Sequence, residues 1–440
     1  MERRQCFSPA MRRMMSSNMN IKSSFKEDKT GLLVLIIVAG FAAAVVYHYV
    51  IGYYLGKPWP ANTFLHTPDA HFSDFNLVVR QSAGLDPFAN DIGGFAGSPF
   101  GQFLGYLFSV LRASWLQLGI FFGSFFAVLI LMARHYLYGV KSKLDSHGWL
   151  VLFAITFLTY PVLFAVDRGN FDLLACALLF LFAFTYGNQK YKTSAVFLGL
   201  AIAIKPLAAV LGMVYVFDKR YKDGLLVIFN VVFLTALSLS LLKGGLFAQT
   251  EKFLDALSNT TGYLLAGNQQ AFNSDLYGLL TVATQFIGNR LGQEIYLPGY
   301  PEVRYYYAIA AIVVFIYFAF YLWRKHPPLW QVLAVLMILL ILLPFNSADY
   351  RLTYLLVPLL MYLGSREAVR NEMLIVIIWG LLLIPKNYYN IQGFQNIGVV
   401  INPLLLIGLL ISIIPDAFSI RGMISIFRSG HTGIPAKEQI

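Results

Sequence analysis

The sequence predicts an all-α polytopic membrane protein, a bundle of about twelve transmembrane helices. Three observations carry this expectation. Of 440 residues, 58% are hydrophobic, 16% aromatic and only 12% charged, with a mean hydropathy of +0.64, beyond what a soluble domain carries. Many stretches approach the roughly 20 apolar residues that cross a hydrocarbon core of about 30 Å. Lys and Arg gather in alternate short connections, as cytosolic loops do. That topological pattern also accounts for the net charge of +11, without a nucleic-acid partner.

Residues 1–30 are polar and basic (Arg3, Arg4, Arg12, Arg13, Lys22, Lys26, Lys29), with no apolar core of a cleavable signal. They read as a flexible cytosolic tail. A single transmembrane domain is expected over 31–418, followed by a cytosolic tail, 419–440. The expected spans are 31–51, 115–134, 149–166, 171–187, 193–204, 206–218, 224–242, 305–323, 329–344, 353–364, 373–385 and 397–415. Two long external loops, 52–114 and 244–304, carry acidic residues: Asp69, Asp74, Asp86 and Asp91 in the first, Glu251, Asp255, Asp275, Glu294 and Glu302 in the second. Both exceed the usual length of a structureless connection, which points to function. The first holds a helical stretch around DFNLVVRQSAG, a turn at DPFAND, and an apolar run, SPFGQFLGYLFSVL, suited to lying along the interface.

One segment decides the topology. TSAVFLGLAIAIKPLAAVLGMVYVF, 193–217, is long enough for one helix. One helix there would export Arg324, Lys325, Arg366 and Arg370 against the charge rule. Two short helices meeting at Lys205-Pro206 restore the rule, and Pro206 favours a break because it lacks a donor and disfavours helix at the residue before it. Both termini are then cytosolic.

Candidate chemistry lies in polar notches that this topology places on the external side. Asp74, with Asn76, Arg80 and the loop histidine His71 beside it, is a carboxylate able to take the proton of an acceptor hydroxyl; its plain alternative is a solvated loop residue. Asp86 and Asp91 read as turn residues, and His66 as another exposed loop histidine. Lys205, a cation inside an apolar segment, is costly and functional by default; its alternatives are snorkelling or pairing with an Asp. In the turn DRGNFD, Arg168 suits phosphate and Asn170 or Asp172 a sugar, while a capped helix start explains Asn170 and Asp172 equally well. In PFNSADYRLTYLLVP, Asp349 and Arg351 either pair with each other or the Arg clamps phosphate. Amide-rich AGNQQAFNSDLYGLL, with Asn273, suits hydrogen bonding to a polyol. The two cysteines, Cys6 and Cys176, sit too differently for a disulfide, and no metal-ligand spacing is present.

These four stretches, in order, resemble the GT-C superfamily of integral membrane glycosyltransferases, and within it glycosyltransferase family 87. DFNLVVRQSAGLDPFAND with SPFGQFLGYLFSVL is similar to that family's first external loop, and RGNFDLLACALLFLFAF to its polar turn and following helix. KTSAVFLGLAIAIKPLAAVLGMVYVF resembles its Lys-Pro hairpin and PFNSADYRLTYLLVPLL its late polar loop. The resemblance implies a GT-C-like bundle in the cell envelope, in a bacterial inner (plasma) membrane. It implies transfer of a sugar, with inversion, from a polyprenyl-phosphate-linked donor to a lipid or glycan acceptor on the non-cytosolic face. Asp74 matches the base; Lys205 matches the donor-phosphate ligand, with Arg168 or Arg351 helping. No cofactor or tightly bound metal is implied. Relatives often carry His in the late loop where this chain has Tyr350 and Arg351. The competing readings are a transporter or lipid flippase and a noncatalytic assembly subunit. A transporter would show symmetry-related broken helices, and only one broken hairpin is apparent.

Overall fold

A computed structural model describes residues 9–58, 62–65, 70–89, 97–139, 145–265, 272–292, 297, 300–365, 369–386, 388 and 397–419, without the side chains of 9–28, 147 and 260–265. Cys6, His66, Asp69, Asp91, Lys141, Lys143, Glu294, Arg366 and the tail 420–440 lie outside the described residues, as do the side chains of Arg12, Arg13, Lys22 and Lys26. Among the described residues the fold is helical, with a single isolated β-bridge between Asn273 and Ala348.

Helix α1 (Pro9–Tyr49) begins inside the basic segment. In the first long loop lie α2 (Ser73–Ser82) and α3 (Pro99–Val110), at the two stretches the sequence marks as helical or apolar. Then follow α4 (Ser114–Tyr138), α5 (Ser146–Phe157), α6 (Tyr160–Arg168), α7 (Asp172–Gly187), α8 (Tyr191–Ile204), α9 (Met213–Phe217) and α10 (Tyr221–Leu241). The second long loop is in good part helical, holding α11 (Gly245–Leu265) and α12 (Leu276–Arg290). The chain closes with α13 (Pro301–Lys325), α14 (Leu329–Leu342), α15 (Leu356–Gly364), α16 (Glu372–Leu383) and α17 (Gly398–Ile413).

Among the described residues, four stretches are long and apolar enough to cross a membrane: Lys29–Tyr54, Ser114–Tyr138, Tyr221–Leu241 and Pro301–Lys325. The expected span 149–166 is instead two helices, α5 and α6, bent by 50°. Pro161 has no N–H to bond back into α5 and so breaks the ladder there. The other apolar helices have 10–17 residues, and at 1.5 Å per residue they fall short of a full bilayer. Burial explains how they persist. Almost every residue of α14 is buried, as is most of α7, so these helices are surrounded by protein rather than lipid. The longer α10 and α13 carry broad exposed apolar faces.

The expected hairpin forms. Helix α8 ends at Ile204, Lys205 adopts extended backbone, and Pro206 opens a 3-10 turn to Gly212. The return limb comes back alongside α8: the Tyr215 hydroxyl lies 2.6 Å from that of Ser194, and the Arg220 guanidinium sits 3.4 Å over the Tyr191 ring. Lys190, Lys192, Lys219, Arg220 and Lys222 therefore share one end of the bundle. Contacts extend that end. Tyr186 donates to Asp218 at 2.6 Å, the His135 and Phe184 rings meet at 5.0 Å, and a Cβ at Gly364 would lie 2.7 Å from the Tyr136 carbonyl. Lys29 pairs with Glu372 at 2.8 Å in the same manner. The basic connections thus gather together, and the polar notches lie at the opposite end.

At that opposite end, α16 stops ahead of Pro385 and buried Lys386 caps it. Its ammonium donates to the carbonyls of Leu381 (2.7 Å), Leu382 (3.2 Å) and Ile384 (2.8 Å), the orphan acceptors of a helix C-terminus. Burial pulls its pKa down to about 7, against the opposing pull of the Asp349 carboxylate. The sign follows from proton counting. Between about pH 7 and 10.5 the unfolded chain holds a proton that the folded chain has released, so this group's contribution to stability rises with pH across that window. In detergent micelles the wild type is expected to gain thermal stability over Lys386→Met as pH is raised from neutrality, by at most about 1.4 kcal/mol per pH unit. Parallel pH profiles for the two proteins would contradict the depressed Lys386.

Candidate active site

The site is built around the turn between α6 and α7. Gly169 ends α6 with φ +64°, and the N–H groups of Gly169 and Asn170 bond back to the Val166 (2.9 Å) and Ala165 (3.0 Å) carbonyls, a left-handed C-terminal cap that favours glycine. Glycine is required there for a second reason: a Cβ would lie 2.7 Å from the Cβ of Phe75, so α2 approaches the turn too closely for a side chain. The Asn170 side chain then caps α7, its Oδ1 accepting from the Asp172 N–H at 2.9 Å.

The first external loop docks on this turn. The Phe72 N–H bonds the Asp167 carbonyl at 2.7 Å, and His71 Nδ1 lies 2.6 Å from Asp167 Oδ1. Asp74, in the first turn of α2, is held on both oxygens: Arg168 donates to Oδ1 and Asn170 Nδ2 donates to Oδ2 at 2.7 Å. The carboxylate keeps 23% of its side-chain surface exposed, so it is oriented yet reachable. Asn170 meets the helix-cap expectation with one side-chain atom and holds Asp74 with the other.

The hairpin apex meets the same turn from the other side. Lys205 forms an ion pair with Asp172 at 2.8 Å, and the Tyr354 hydroxyl donates to the other Asp172 oxygen. Asp172 is 1% exposed and Lys205 23%, so the acid is committed to the interior while part of the lysine side chain stays accessible. Ser98, at the start of α3, donates to the Ile204 carbonyl at 2.8 Å, tying the first loop to the apex as well.

The late loop completes the cluster. Asp349 and Arg351 do not form an ion pair. Asp349 accepts from Ser274 (2.6 Å), Asn402 (3.1 Å) and Tyr160 (3.2 Å); burial pushes its pKa up, against those donors. Arg351 donates to the Asn346 carbonyl at 2.5 Å and lies near enough to Asp172 and Lys205 for their charges to interact. Among the described residues no carboxylate forms a salt bridge with it. Asn273 is buried at the bridge to Ala348, holding the amide-rich segment against the late loop. Asp275 strengthens that seam, accepting from the Gly278 N–H (2.6 Å) and the Ser347 N–H (2.8 Å), and burial lifts it to about 6. Arg80 stays outside the cluster: it is exposed and bonds the Asn76 carbonyl at 3.2 Å. Asp86, expected as a turn residue, is bound to Lys252 and Gln249.

The sequence reading missed Tyr354, Tyr160, Ser274, Asp275, Asn402 and Lys386. Asp275 had a local signal, an Asp three residues before the glycine whose N–H it caps. Lys386 had another, a lysine directly after an apolar run. The rest meet their partners across 53 to 189 residues of chain, where spacing carries no information. No group of three or more His, Cys, Asp or Glu suited to a metal occurs among the described residues.

A bundle of apolar helices thus carries a polar cluster of clamped carboxylates and cations at one end. The sequence model of glycosyltransferase family 87 matches residues 95–344, more than half of the chain, and the chain belongs to that family. It is a membrane glycosyltransferase. The matched stretch includes Arg168, Asn170, Asp172, Lys205 and Asn273 but not Asp74, Asp349 or Arg351, which the hydrogen bonds and charges above bring to it. No curated protein matches the chain.

The ion pair at the apex makes a direct test. Lys205→Met leaves Asp172 buried without its cation, a loss of up to about 3 kcal/mol for a buried pair, reduced here because Lys205 is 23% exposed. The double variant Lys205→Met/Asp172→Asn is expected to recover most of that loss in denaturant unfolding. Equal losses in the single and double variants would show that the two charges are not coupled.

Proposed function

We propose that the protein transfers a sugar from a polyprenyl-phosphate-linked donor to a lipid or glycan acceptor on the non-cytosolic face, by a single displacement that inverts the anomeric carbon. The observation that carries this reading is the joint attachment of Asp74 and Lys205 to one short turn: Asp74 through Arg168 and Asn170, Lys205 through Asp172. A proton acceptor and a cationic anion site held a few residues apart are what such a displacement requires.

In this reading the acceptor hydroxyl attacks the anomeric carbon as Asp74 takes its proton. The bond from that carbon to the phosphate oxygen breaks, and its electron pair leaves with the phosphate. Arg351, which pairs with no carboxylate among the described residues, and Lys205 at the apex stabilise the anion that departs. Asn170 and Arg168 fix the carboxylate's direction rather than bind donor. Asn273, Asp349 and Asp172 shape the pocket from behind, and Arg80, exposed on α2, is left for the acceptor side. In the same reading the basic end of the bundle faces the cytosol, with both termini there and the site on the opposite face. The short helices complete the count of about twelve crossings in the shelter of the long ones.

The experiment is an in vitro transfer assay with a polyprenyl-phosphate sugar donor, comparing wild type with Asp74→Asn at matched thermal stability. Loss of the base is expected to lower kcat by about 100- to 10,000-fold. Full transfer by a folded Asp74→Asn protein would remove the base from the mechanism.

A further inference from the structure

Helix α11 has two apolar faces, and among the described residues only one is covered by protein. The covered face carries Leu246, Phe253 and Ala256, which pack with Leu85 around the small buried cluster of Phe88, Leu239 and Leu242. The Phe88 and Phe253 rings meet at 5.2 Å. Beside this contact Asp86 accepts from Lys252 on both oxygens, at 2.9 and 2.8 Å, and from Gln249 at 2.8 Å. Partial burial raises the Asp86 carboxyl, but Gln249 and Lys252 outweigh it and hold it below its ordinary value. The Lys243 N–H closes the junction on the Leu85 carbonyl at 2.8 Å. Residues 86–89 are thereby bolted to the corner between α10 and α11.

The second face is open. Phe247 is 88% exposed, Leu254 56% and Leu257 43%. At 100° per residue these three adjoin the covered face, giving one apolar arc of about half the helix, while Glu251, Asp255 and Asn259 fill the opposite arc, all exposed. What meets the open face follows from where it sits. Helix α10 is one of the four stretches able to cross a membrane, and its far end exposes Phe233, Leu237 and Leu241. Gly244 (φ +95°) and Gly245 (φ +77°) then turn the chain sharply into α11. A membrane-crossing helix that ends in exposed apolar residues is thus followed, across a two-glycine elbow, by a helix with an exposed apolar face.

We propose that α11 lies in the bilayer interface at the active-site end, with Phe247, Leu254 and Leu257 in the boundary between headgroups and acyl chains and its acidic arc in water. Through Asp86, Lys252 and Gln249 it sets the depth at which the first external loop, and so Asp74, rides on the membrane. An amphipathic helix with one apolar and one strongly polar face is the form that binds such an interface. The inference rests on the fold and stands whether or not the transferase chemistry above is right.

The test uses the full chain, with Cys6→Ser and the buried Cys176 retained, in vesicles of phosphatidylcholine and phosphatidylglycerol. A fluorophore is placed singly through Phe247→Cys, Leu254→Cys or Asp255→Cys. Brominated acyl chains are expected to quench the labels at 247 and 254 several times more than the label at 255, and iodide to do the reverse. Iodide quenching at 247 and 254 equal to that at 255 would overturn the proposal, because the face would then meet water. Protection of 247 and 254 from both quenchers would overturn it too, because a protein surface, such as a second copy of the chain, would then cover the face.

Discussion

Asp172 stands at the start of α7 with almost no contact with water, and the arrangement of the active end follows from neutralising it. A buried carboxylate is tolerated only with a cation and hydrogen bonds supplied. Lys205 brings the cation from the hairpin apex and Tyr354 brings a donor from the late loop. Two segments far apart in sequence are therefore drawn to one turn. The same turn, through Arg168 and Asn170, receives the first external loop. Charge compensation inside a low-dielectric bundle thus sets both the fold of this end and the position of the candidate groups Asp74 and Lys205.

The hairpin shows how fold and chemistry share one cause. Pro206 cannot continue α8, so the helix ends with Lys205 at its tip, and Asp172 fixes that tip in place. The apolar limbs on either side remain too short to face a full bilayer alone, and α14 and its neighbours surround them with apolar side chains. A long straight helix over the same residues would place Lys205 mid-membrane with no reason to be there. The late loop is held by a separate set of bonds, from Ser274, Asn402 and Tyr160 to Asp349. Asp349 is thereby occupied, and Arg351 is left next to the Asp172–Lys205 pair instead.

Much of this was legible in the sequence where the cause is local. The break at Lys205-Pro206, the helices around Asp74 and over Pro99–Val110, and the segregation of basic from acidic connections all follow from residue chemistry within one helix or one turn. Asp172 and Asn170 were legible only as alternatives, cap or ligand; Asn170 proves to cap α7 and also to hold Asp74, a partner 96 residues away that no local spacing announces. The bend at Pro161 is hidden because the apolar run on either side reads as one uninterrupted span. Helices α11 and α12 read as loop because their apolar residues lie in mixed company, and α11 in particular divides its apolar arc between protein and open surface. The partners of Asp349 were not legible at all, since four separate segments meet there only after folding.

If the turn is the anchor of the site, it should be possible to release Asp74's loop without disturbing the rest. Gly169→Ala puts a methyl group into left-handed backbone and against Phe75, at a cost of about 1–2 kcal/mol for the conformation alone, while leaving Asp172 and Lys205 unchanged. Hydrogen exchange read by mass spectrometry in micelles is then the direct measurement. Faster exchange confined to α2, residues 73–82, with the hairpin 191–217 still protected, is the predicted result. Unchanged protection of α2 in the variant would contradict the claim that this turn holds the first loop and its carboxylate in place.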